Sequence, residues 1–549
     1  IGTSLGATFS TQQTGSLSLL EYDSRNVGSA FIKGDLGTKV SYVMTIGATV
    51  DHLNPHVFLP PDFTIPGEGF YNRVSADDRY LRVIPSDGFY NGFVLSPELA
   101  VSLFDNNLRI RWGSIKRDWG PGLNNLLLSS NARPFDGIEI QVDFASWLHY
   151  AVVTGSLGKF ALRELDGKPF FSDDAWTDKP YYRFDNNFST HRVEVDFFKN
   201  LTFGIQESVV WQKRFELGYL NPLTIYMFQQ NNLGDIDEMI AGVDLTYTWP
   251  EKARFYAAVA TTEMNNVSSI KKIFTYPRNM LAYQAGVVIP IPVGSFSTLT
   301  AQWTFLSPFF YAHYPIREIA ASVPKTTSED DGYVFKSSKD KTYRITKDGY
   351  IQGGYYYDKD DKDGKIHKFD WQKEVDKIGS FWLSPDNKTL FEIENETLYI
   401  YETTSETAYV NKGENLGYPL NPNSQEFLVQ LDLGLPKGWT AQAQLKYQVR
   451  SGQYGYTVEQ YMDYGNMKRY EAKAFWKHVF EHTVSVKVGG SKRFEGTPIE
   501  VNAFYQLWGD WNRMTDDTAA FDGIGATISS DWPKPTFNHV VQIGAKIYF

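Results

Sequence analysis

Alternation of apolar and polar residues is the dominant pattern along this chain. It runs without interruption over residues 138–144 and 441–449, and shorter runs of the same period occur at residues 108–112, 243–249, 299–305 and 427–433. A period of two residues is typical of a β-strand with one apolar face. Short turn sequences such as 249–252 and 435–438 lie beside several of these runs, which indicates hairpins. The pattern therefore predicts an all-β protein built from antiparallel strands.

The length of the runs favours a transmembrane barrel over soluble sheets. Strands in soluble proteins average about five or six residues, whereas a barrel strand that crosses a bilayer needs about nine to eleven. Run 441–449 is long enough, and its polar face carries Gln and Lys. Aromatic residues recur near predicted strand ends, as in the interfacial girdles of such barrels: Trp112, Trp119, Trp147, Trp249, Trp303 and Phe305. A string of soluble β-sandwiches is the alternative.

The end of the chain, residues 539–549, predicts a closing strand. Every second residue back from the terminal Phe549 is apolar, namely Ile547, Ala545 and Ile543. This resembles the C-terminal signature of bacterial outer-membrane proteins, which the barrel-assembly machinery recognises. Closure also has a physical reason, because an unpaired strand edge in lipid leaves backbone groups without hydrogen bonds. We therefore expect a barrel in the bacterial outer membrane, surrounded by lipid and lipopolysaccharide.

One segment, residues 322–417, departs from the barrel pattern. It is charged and rich in lysine, although short strand-like runs such as 397–401 recur in it. Outer-membrane barrels have short periplasmic turns and long external loops, so we expect a β-rich extracellular insertion here. The barrel would then occupy residues 1–321 and 418–549. These remaining residues, about 450 at roughly 25 for each strand and turn, predict about 18 strands, with a range of roughly 16–20.

Composition excludes several classes of protein. The 549 residues include no cysteine, which excludes disulfides, thiolate metal sites and a cysteine nucleophile. The net charge of −11 argues against binding of nucleic acid, which needs a basic surface. The mean hydropathy of −0.35 would suit a soluble protein, but only alternate residues of a barrel strand face lipid. No apolar run is long enough for a transmembrane helix, and the absence of a signal peptide at the start fits a mature, exported chain.

The most distinctive motif is formed by Trp119, Gly120, Pro121 and Gly122, followed by an apolar run at 126–128. Two glycines around a proline indicate a tight turn, because glycine tolerates positive φ and proline fixes its own φ. The turn is expected to fold the apolar run back into or across the barrel. Farther on, Asn131 and Arg133 offer amide and guanidinium donors. Two roles remain open for this stretch, a ligand site and a plug that only shapes the lumen.

This stretch resembles the capsule-assembly Wzi family of outer-membrane proteins. Members carry a Trp-Gly-Pro-Gly turn, a leucine-rich segment and an Asn-Ala-Arg-Pro sequence, which here falls on residues 131–134. Residues 204–211 and 217–222 also look familial and add Glu207, Tyr219 and Asn221 to the candidate ligand or plug residues. The resemblance covers roughly residues 107–264 and implies an 18-stranded barrel that binds exopolysaccharide and helps to hold the capsule at the surface. Family members also carry an N-terminal helical bundle, whereas nothing before Phe31 reads as helical.

Three functions follow as alternatives. The first is a polysaccharide-binding surface protein, favoured by the family resemblance and by aromatic residues in the insertion such as Trp371 and Trp382. The second is a porin-type diffusion channel, or an accessory barrel of a larger outer-membrane complex. The third is an enzyme, which would need converging His, Ser and acidic side chains near one rim. Because no nucleophile motif is present, we predict neither enzymatic activity nor a cofactor.

Two possible metal motifs are weak. Asp361, Asp363 and Asp370 partly fit a calcium loop, but Lys359 occupies the first ligand position, so a solvated charged loop is favoured. His478 and His482 are four residues apart, a spacing that suits a metal only on a helix. They are expected in an exposed turn between two strands. No metal site is therefore predicted.

Overall fold

The computed structural model describes most of the barrel and parts of its long connections. The described residues are 2–16, 22–53, 88–132, 134–160, 182–212, 214–233, 237–264, 268–275, 279–307, 310–311, 316–322, 333–336, 342–345, 357–358, 380–383, 389–394, 397–402, 409–411, 414–420, 422–451, 480–511 and 536–548.

Strands account for most of the described chain. The thirteen strands before the insertion are β1 (Gly2–Ser16), β2 (Tyr22–Leu36), β3 (Val40–Leu53), β4 (Gly88–Leu103), β5 (Leu108–Ile115), β6 (Phe135–Ala145), β7 (Leu148–Phe160), β8 (Tyr182–Phe197), β9 (Leu201–Gln212), β10 (Glu238–Trp249), β11 (Ala253–Glu263), β12 (Met280–Ile291) and β13 (Ser297–Leu306). Short strands follow at β14 (Ile316–Ser322), β15 (Tyr333–Lys336), β16 (Thr342–Ile345), β17 (Tyr357–Asp358), β18 (Ser380–Leu383), β19 (Thr389–Glu394), β20 (Thr397–Glu402), β21 (Val410–Asn411) and β22 (Glu414–Asn415). The last five are β23 (Ser424–Leu435), β24 (Trp439–Ser451), β25 (Phe480–Arg493), β26 (Ile499–Trp511) and β27 (Thr536–Tyr548).

Strands β1–β13 and β23–β27 form one closed barrel. Each pairs antiparallel with its neighbour in this order, and β13 pairs with β23 across the insertion. The barrel closes where β1 pairs with β27, from Gly6 opposite Tyr548 to Ser16 opposite Asn538. The 18-stranded sheet therefore has no free edge. The predicted antiparallel barrel of about 18 strands is confirmed.

The connections differ sharply between the two ends of the barrel. One end carries the start of β1, the end of β27 and the short turns 37–39, 104–107, 146–147, 198–200, 250–252, 292–296, 436–438 and 494–498. The other end carries the long connections, including the one between β13 and β23. Short turns face the periplasm in outer-membrane barrels. We therefore call the two ends the periplasmic end and the extracellular end.

The alternation of the sequence corresponds to the two faces of the wall. On β6, Ile138 and Phe144 are 48% and 64% exposed on the outer face, whereas Glu139 is 0% exposed on the inner face. The same holds on β27, where Ile543 lies on the outer face and Ala545 and Ile547 share that face by strand periodicity. Phe549 lies outside the described residues. An apolar outer face and a polar inner face are the arrangement that a lipid-embedded barrel requires.

The insertion is an excursion with closely spaced ends. Strands β14, β20, β19, β18 and β17 form one small sheet, and β15 and β16 form a hairpin. The backbone N–H of Tyr409 donates to the carbonyl of Tyr311 at 3.0 Å, so the chain returns to the point that it left. Residues 312–408 therefore form the excursion, which overlaps the predicted range 322–417. The calcium candidates Asp361, Asp363 and Asp370 lie outside the described residues.

Two local predictions are wrong. Trp119 was expected at an interfacial strand end, but it packs against a buried apolar cluster inside the barrel because its segment folds inward. His482 was expected in an exposed turn, but it lies on β25, opposite Val449 of β24, and its Nδ1 is 2.9 Å from the Tyr447 hydroxyl. His478 lies outside the described residues.

The few helices within the described ranges are too short or too polar to cross a bilayer.

Candidate functional site

The connection between β5 and β6 folds into the barrel lumen. We call residues 116–134 the lumen segment; Arg133 is outside the described residues. The segment lies against the inner faces of β11, β12 and β13, where it contacts Arg254, Gln284 and Gln302. The Trp-Gly-Pro-Gly motif is thus part of a structure inside the barrel.

A tight turn begins the lumen segment and requires glycine. Gly120 has a φ of 135°, and a Cβ there would lie 2.5 Å from Asn125 Oδ1. The same Asn125 oxygen accepts from the Gly122 N–H at 2.9 Å, and its Nδ2 donates to Asp118 at 2.6 Å. Asn125 therefore connects both arms of the turn, and Gly120 leaves room for its side chain.

Amide side chains of the wall hold the backbone of this turn. Gln302 accepts from the Leu123 N–H at 2.9 Å and donates to the Leu123 carbonyl at 3.0 Å. Gln284 donates to the Asn124 carbonyl at 2.8 Å, and Arg254 donates to the Pro121 carbonyl at 3.1 Å. The pair of bonds to Leu123 reproduces what a neighbouring strand would provide. A polar turn is therefore fixed to the wall without extending the sheet.

The leucine run 126–128 is buried in an apolar cluster within the lumen. Two of its backbone carbonyls have hydrogen-bond donors: Tyr311 donates to the Leu126 carbonyl at 2.7 Å, and Tyr409 donates to the Leu127 carbonyl at 2.6 Å. The cluster joins inward-facing wall residues to both ends of the excursion. Its larger members are Ile115, Leu126, Leu127, Leu128, Phe135, Val153, Leu157, Phe188, Val210, Ile240, Met280, Leu306, Phe310, Tyr311, Tyr409, Leu416, Tyr418 and Leu420.

Three buried tyrosines connect the lumen segment to the ends of the excursion. The rings of Tyr311 and Tyr409 stack with centroids 5.6 Å apart, and the Tyr418 N–H donates to the Tyr311 hydroxyl at 2.8 Å. Tyr418 in turn donates to Glu426 and accepts from Gln302 at 3.3 Å. Burial raises the pKa of all three phenols. They therefore stay neutral and act as hydrogen-bond donors.

Arginine–carboxylate pairs support the lumen segment where it leaves β5. Arg117 lies 2.8 Å from Glu139 and 3.0 Å from Glu98, and Arg111 lies 3.2 Å from the same Glu139 oxygen. Farther along this wall, Arg192 lies 2.9 Å from Asp244. We call Arg109, Arg111, Arg117 and Arg192, each paired with a carboxylate, the paired-arginine wall. Pairing is what makes such poorly solvated charges tolerable.

Asp118 is the titratable group of the turn itself. Desolvation inside the lumen raises its pKa to about 6, and the hydrogen bond from Asn125 opposes this shift. The folded turn therefore binds a proton at Asp118 more tightly than an open, hydrated segment would.

A second buried region lies on the outer face of the barrel. We call residues 214–233 the outer cover; it contains helices α1 (Leu217–Leu220) and α2 (Tyr226–Leu233). Tyr219 and Tyr226 pack on Val209 and Trp211, which share the outward register of Ile205. The opposite side of the cover is apolar and exposed, with Phe215 at 78% and Leu223 at 83%.

The outer cover shields polar side chains on the lipid-facing side. Glu207 accepts from the Tyr226 N–H at 2.9 Å and lies 3.2 Å from His191. Tyr219 donates to Asp237 at 2.8 Å, and burial is the main cause that raises its pKa. Asn221 is the exposed C-cap of α1, and its Oδ1 accepts from the Leu223 N–H at 3.1 Å. Charged groups facing lipid are costly, so the cover stabilises this part of the wall.

Ser189, His191 and Glu207 converge beneath the cover, as the enzyme alternative would require. However, Ser189 is hydrogen-bonded to the Tyr226 hydroxyl at 2.7 Å and to Thr154 at 2.8 Å, and no hydrogen bond joins it to His191 in the part of the chain that is described. An activated serine needs that bond to its base. Over the described ranges, no group of three or more His, Asp or Glu side chains is placed to hold a metal ion.

The candidate residues from the sequence thus fall in two places. Trp119, Gly120, Pro121, Gly122 and Asn131 share the lumen segment, where the Asn131 N–H donates to Ser129 at 3.3 Å. Glu207, Tyr219 and Asn221 lie on the other side of the wall, on or beneath the outer cover. Sequence reasoning missed the wall residues that hold the turn, namely Arg254, Gln284 and Gln302. The only available signal was their place on the polar faces of alternating strands.

Comparison with known proteins supports the family resemblance. Residues 101–291 match the family of the capsule assembly protein Wzi. The resemblance predicted from the Trp-Gly-Pro-Gly turn is therefore confirmed over that range, which includes the lumen segment and the outer cover. The protein is an outer-membrane β-barrel, and its residues 101–291 are similar to this family. No curated protein shows significant sequence similarity to the chain.

Solved structures with a similar outline are distant in sequence. Wzi of Escherichia coli is 10% identical to this chain, and the comparison covers 97% of this chain and 83% of that chain with a TM-score of 0.45. It is described as an outer-membrane protein involved in group 1 capsule assembly and as a carbohydrate-binding β-barrel. OccK7 of Pseudomonas aeruginosa is 8% identical, with 100% and 98% covered and a TM-score of 0.43. OccAB4 of Acinetobacter baumannii is 6% identical, with 100% and 99% covered and a TM-score of 0.41.

Proposed function

We propose that this barrel binds surface polysaccharide and helps to assemble or retain a capsule-like layer. The observation that carries the proposal is the match of residues 101–291 to the capsule-assembly family. That range contains the lumen segment, whose backbone is held inside the barrel by Arg254, Gln284 and Gln302. The partners in this proposal are the polysaccharide outside the cell, outer-membrane lipid and lipopolysaccharide around the barrel, and the barrel-assembly machinery during biogenesis.

The presence of the lumen segment inside the barrel favours binding over free diffusion. A barrel of 18 strands is wide enough for an aqueous channel only when its interior stays open. Here the lumen segment and the ends of the excursion form one apolar cluster that spans residues from β5 to β13. A porin-type channel would have to pass beside this cluster or displace it, and the cluster holds many buried apolar side chains. A role as binding protein or accessory barrel does not require that movement.

Capsule retention in living cells tests this proposal. An encapsulated strain that lacks the protein would be complemented with the full chain, and the cell-attached fraction of polysaccharide would be compared with the released fraction. We expect the full chain to restore attachment. Equal attachment with and without the protein would refute a role in capsule assembly.

A second variant tests whether the excursion contributes. Residues 312–408 can be replaced by a short glycine-serine linker, because Tyr311 and Tyr409 are joined by a backbone hydrogen bond of 3.0 Å. This boundary keeps Tyr409, Val410 and Leu416, which belong to the apolar cluster. We expect a folded barrel, judged by its heat-modifiable gel mobility, with a lower attached fraction. Attachment equal to that of the full chain would place the saccharide contacts elsewhere.

A further inference from the structure

Three cations on one wall of the lumen lack the carboxylate partners that the arginines opposite have. Lys487 and Arg493 lie on β25, and Lys546 lies on β27. No ion pair is formed by any of them within the described residues, whereas every member of the paired-arginine wall forms at least one. Cations without a carboxylate partner, on the inner wall of an acidic protein, call for a functional explanation.

Strand periodicity places these cations in the lumen. Val486 and Val488 are exposed on the outer face of β25, so Lys487 between them points inward. Arg493 has the same parity as Lys487. On β27 the outer face carries Val541 and Ile543. Lys546 and Tyr548 therefore face the lumen, close to the periplasmic end where β27 terminates.

Glycines opposite Phe31 and Phe504 leave space for these two aromatic rings on the same wall. Phe504 on β26 is opposite Gly489, where a Cβ would lie 2.3 Å from the Phe504 ring. Phe31 on β2 is opposite Gly6, where a Cβ would lie 2.1 Å from the Phe31 ring. Tyr548 meets Phe31 edge-to-face with centroids 6.1 Å apart. Rings that lie along a wall present a broad apolar surface to whatever enters the lumen.

The unpaired cations rest on these rings. Lys487 lies 4.9 Å from the centroid of Phe504, and Lys546 lies 5.3 Å from Phe31 and 5.2 Å from Tyr548. Arg493 lies 5.5 Å from Tyr548. A cation–π contact is weaker than a charge-assisted hydrogen bond to a carboxylate. An anionic ligand would therefore draw the cations off the rings and uncover the ring faces.

Neighbouring residues on the wall add one carboxylate and two amide side chains. Glu500 lies in register between Arg493 and Lys546, yet it forms no ion pair with either one within the described chain. It is a single carboxylate beside these two cations, whereas Lys487 lies opposite Gln506, farther along β26. Asn502 and Gln506 share the inward face of β26 by strand periodicity and offer amide donors and acceptors. The set combines positive charge, flat rings and amides.

We propose that this cation–aromatic wall, made of Phe31, Lys487, Arg493, Phe504, Lys546 and Tyr548, binds an acidic saccharide at the periplasmic half of the lumen. Sugar carboxylates would pair with the cations, the C–H faces of the sugar rings would stack on the aromatic rings, and the amides would bind hydroxyl groups. The lumen position excludes bilayer lipid as the ligand. The proposal rests on the proposed polysaccharide function and adds the acidic class of sugar and a second place of contact, away from the extracellular loops.

Calorimetric titration of the full barrel in detergent tests the site. The probes are short galacturonic acid oligomers and, as the neutral comparison, short maltose-type oligomers. We expect the acidic oligomers to bind more tightly, with an affinity that falls as salt rises. Replacing both Lys546→Gln and Arg493→Gln should weaken acidic binding about tenfold or more, since two charge-assisted contacts are lost. Phe504→Leu should weaken it without changing the salt dependence.

The matched control is Lys492→Gln, next to Arg493 but on the outer face, where Lys492 lies 5.2 Å from Trp439. Heat-modifiable mobility confirms that each variant is folded. The site is refuted when the double variant binds acidic oligomers as the natural chain does, when neutral oligomers bind equally well, or when no oligomer binds. These outcomes leave the capsule-retention assay untouched, so failure of the site and failure of the proposed function are separate results.

Discussion

Replacing Gln302 by leucine should open the lumen. Gln302 forms two hydrogen bonds with the backbone of Leu123, at 2.9 and 3.0 Å, and it also accepts from the Tyr256 hydroxyl at 2.6 Å. Leucine has a similar volume and keeps the apolar contacts but none of these bonds. The expected result is a lumen segment that leaves the wall more often while the barrel itself stays folded.

The size of the effect follows from the lost hydrogen bonds. Leaving a buried donor or acceptor unsatisfied costs about 1–3 kcal/mol. Two backbone groups of Leu123 lose their partner in the closed state, whereas in the open state they can bond to water. The closed state should therefore lose about 2–4 kcal/mol of stability relative to the open state. At about 1.4 kcal/mol for each factor of ten, the open population should rise roughly 30- to 700-fold.

Conductance across a planar bilayer measures this population as the fraction of time that single barrels conduct. The matched control is Gln444→Leu, because Gln444 faces the lumen on β24 but bonds to Gln430, at 2.7 Å, rather than to the lumen segment. We expect Gln302→Leu to increase the open fraction and Gln444→Leu to leave it unchanged. The reasoning is wrong if both variants conduct like the natural chain, or if the natural chain already conducts without interruption.

Three further predictions follow from the same geometry. Gly120→Ala should expose the leucine run to protease under native conditions. The φ of 135° at residue 120 strains any residue with a Cβ, at a cost of about 1–3 kcal/mol, and the new Cβ would meet Asn125. Unchanged cleavage would argue against a strained turn. The open fraction should rise as the pH increases from 5 through about 6. The pKa of Asp118 is raised to about 6 in the folded turn, so protonation of Asp118 stabilises closure, and this contribution is lost above that pH. Asp118→Asn should remove the dependence on pH. A fluorophosphonate probe should not label the barrel, because Ser189 is bonded to Tyr226 rather than to a base; labelling that Ser189→Ala abolishes would instead establish an enzyme.

Much of the barrel could be predicted because alternation reports directly on which side of the wall a residue faces. Glu139 and Gln302 both occupy polar positions in alternating runs, and both face the lumen with little exposure. What alternation cannot report is the partner of a polar residue. Gln302 holds Leu123, which is 179 residues away along the chain. Such a contact depends on where a loop folds inside the closed barrel, and local periodicity carries no information about that.

The outer cover was not predicted for a related reason. Glu207 shares the outward register of Ile205, so its charge would face lipid if nothing lay over it. An acidic residue in an outward register was therefore a signal of a covering segment. The family resemblance instead grouped Glu207 with the lumen turn, because a sequence motif does not record which side of the wall each residue faces.

The charges of the two lumen walls suit different roles in the proposed function. On the paired-arginine wall, carboxylates such as Glu139 neutralise the guanidinium groups, and Arg117 holds the start of the lumen segment in place. These cations have little capacity left for a ligand, since a ligand would have to break short ion pairs first. On the cation–aromatic wall, Lys487 and Lys546 have only ring faces as partners among the residues that the structure describes. A ligand carboxylate can replace those contacts with stronger ones. In this proposal, closure and binding depend on different walls, so a saccharide could engage the cation–aromatic wall while the lumen segment stays in place.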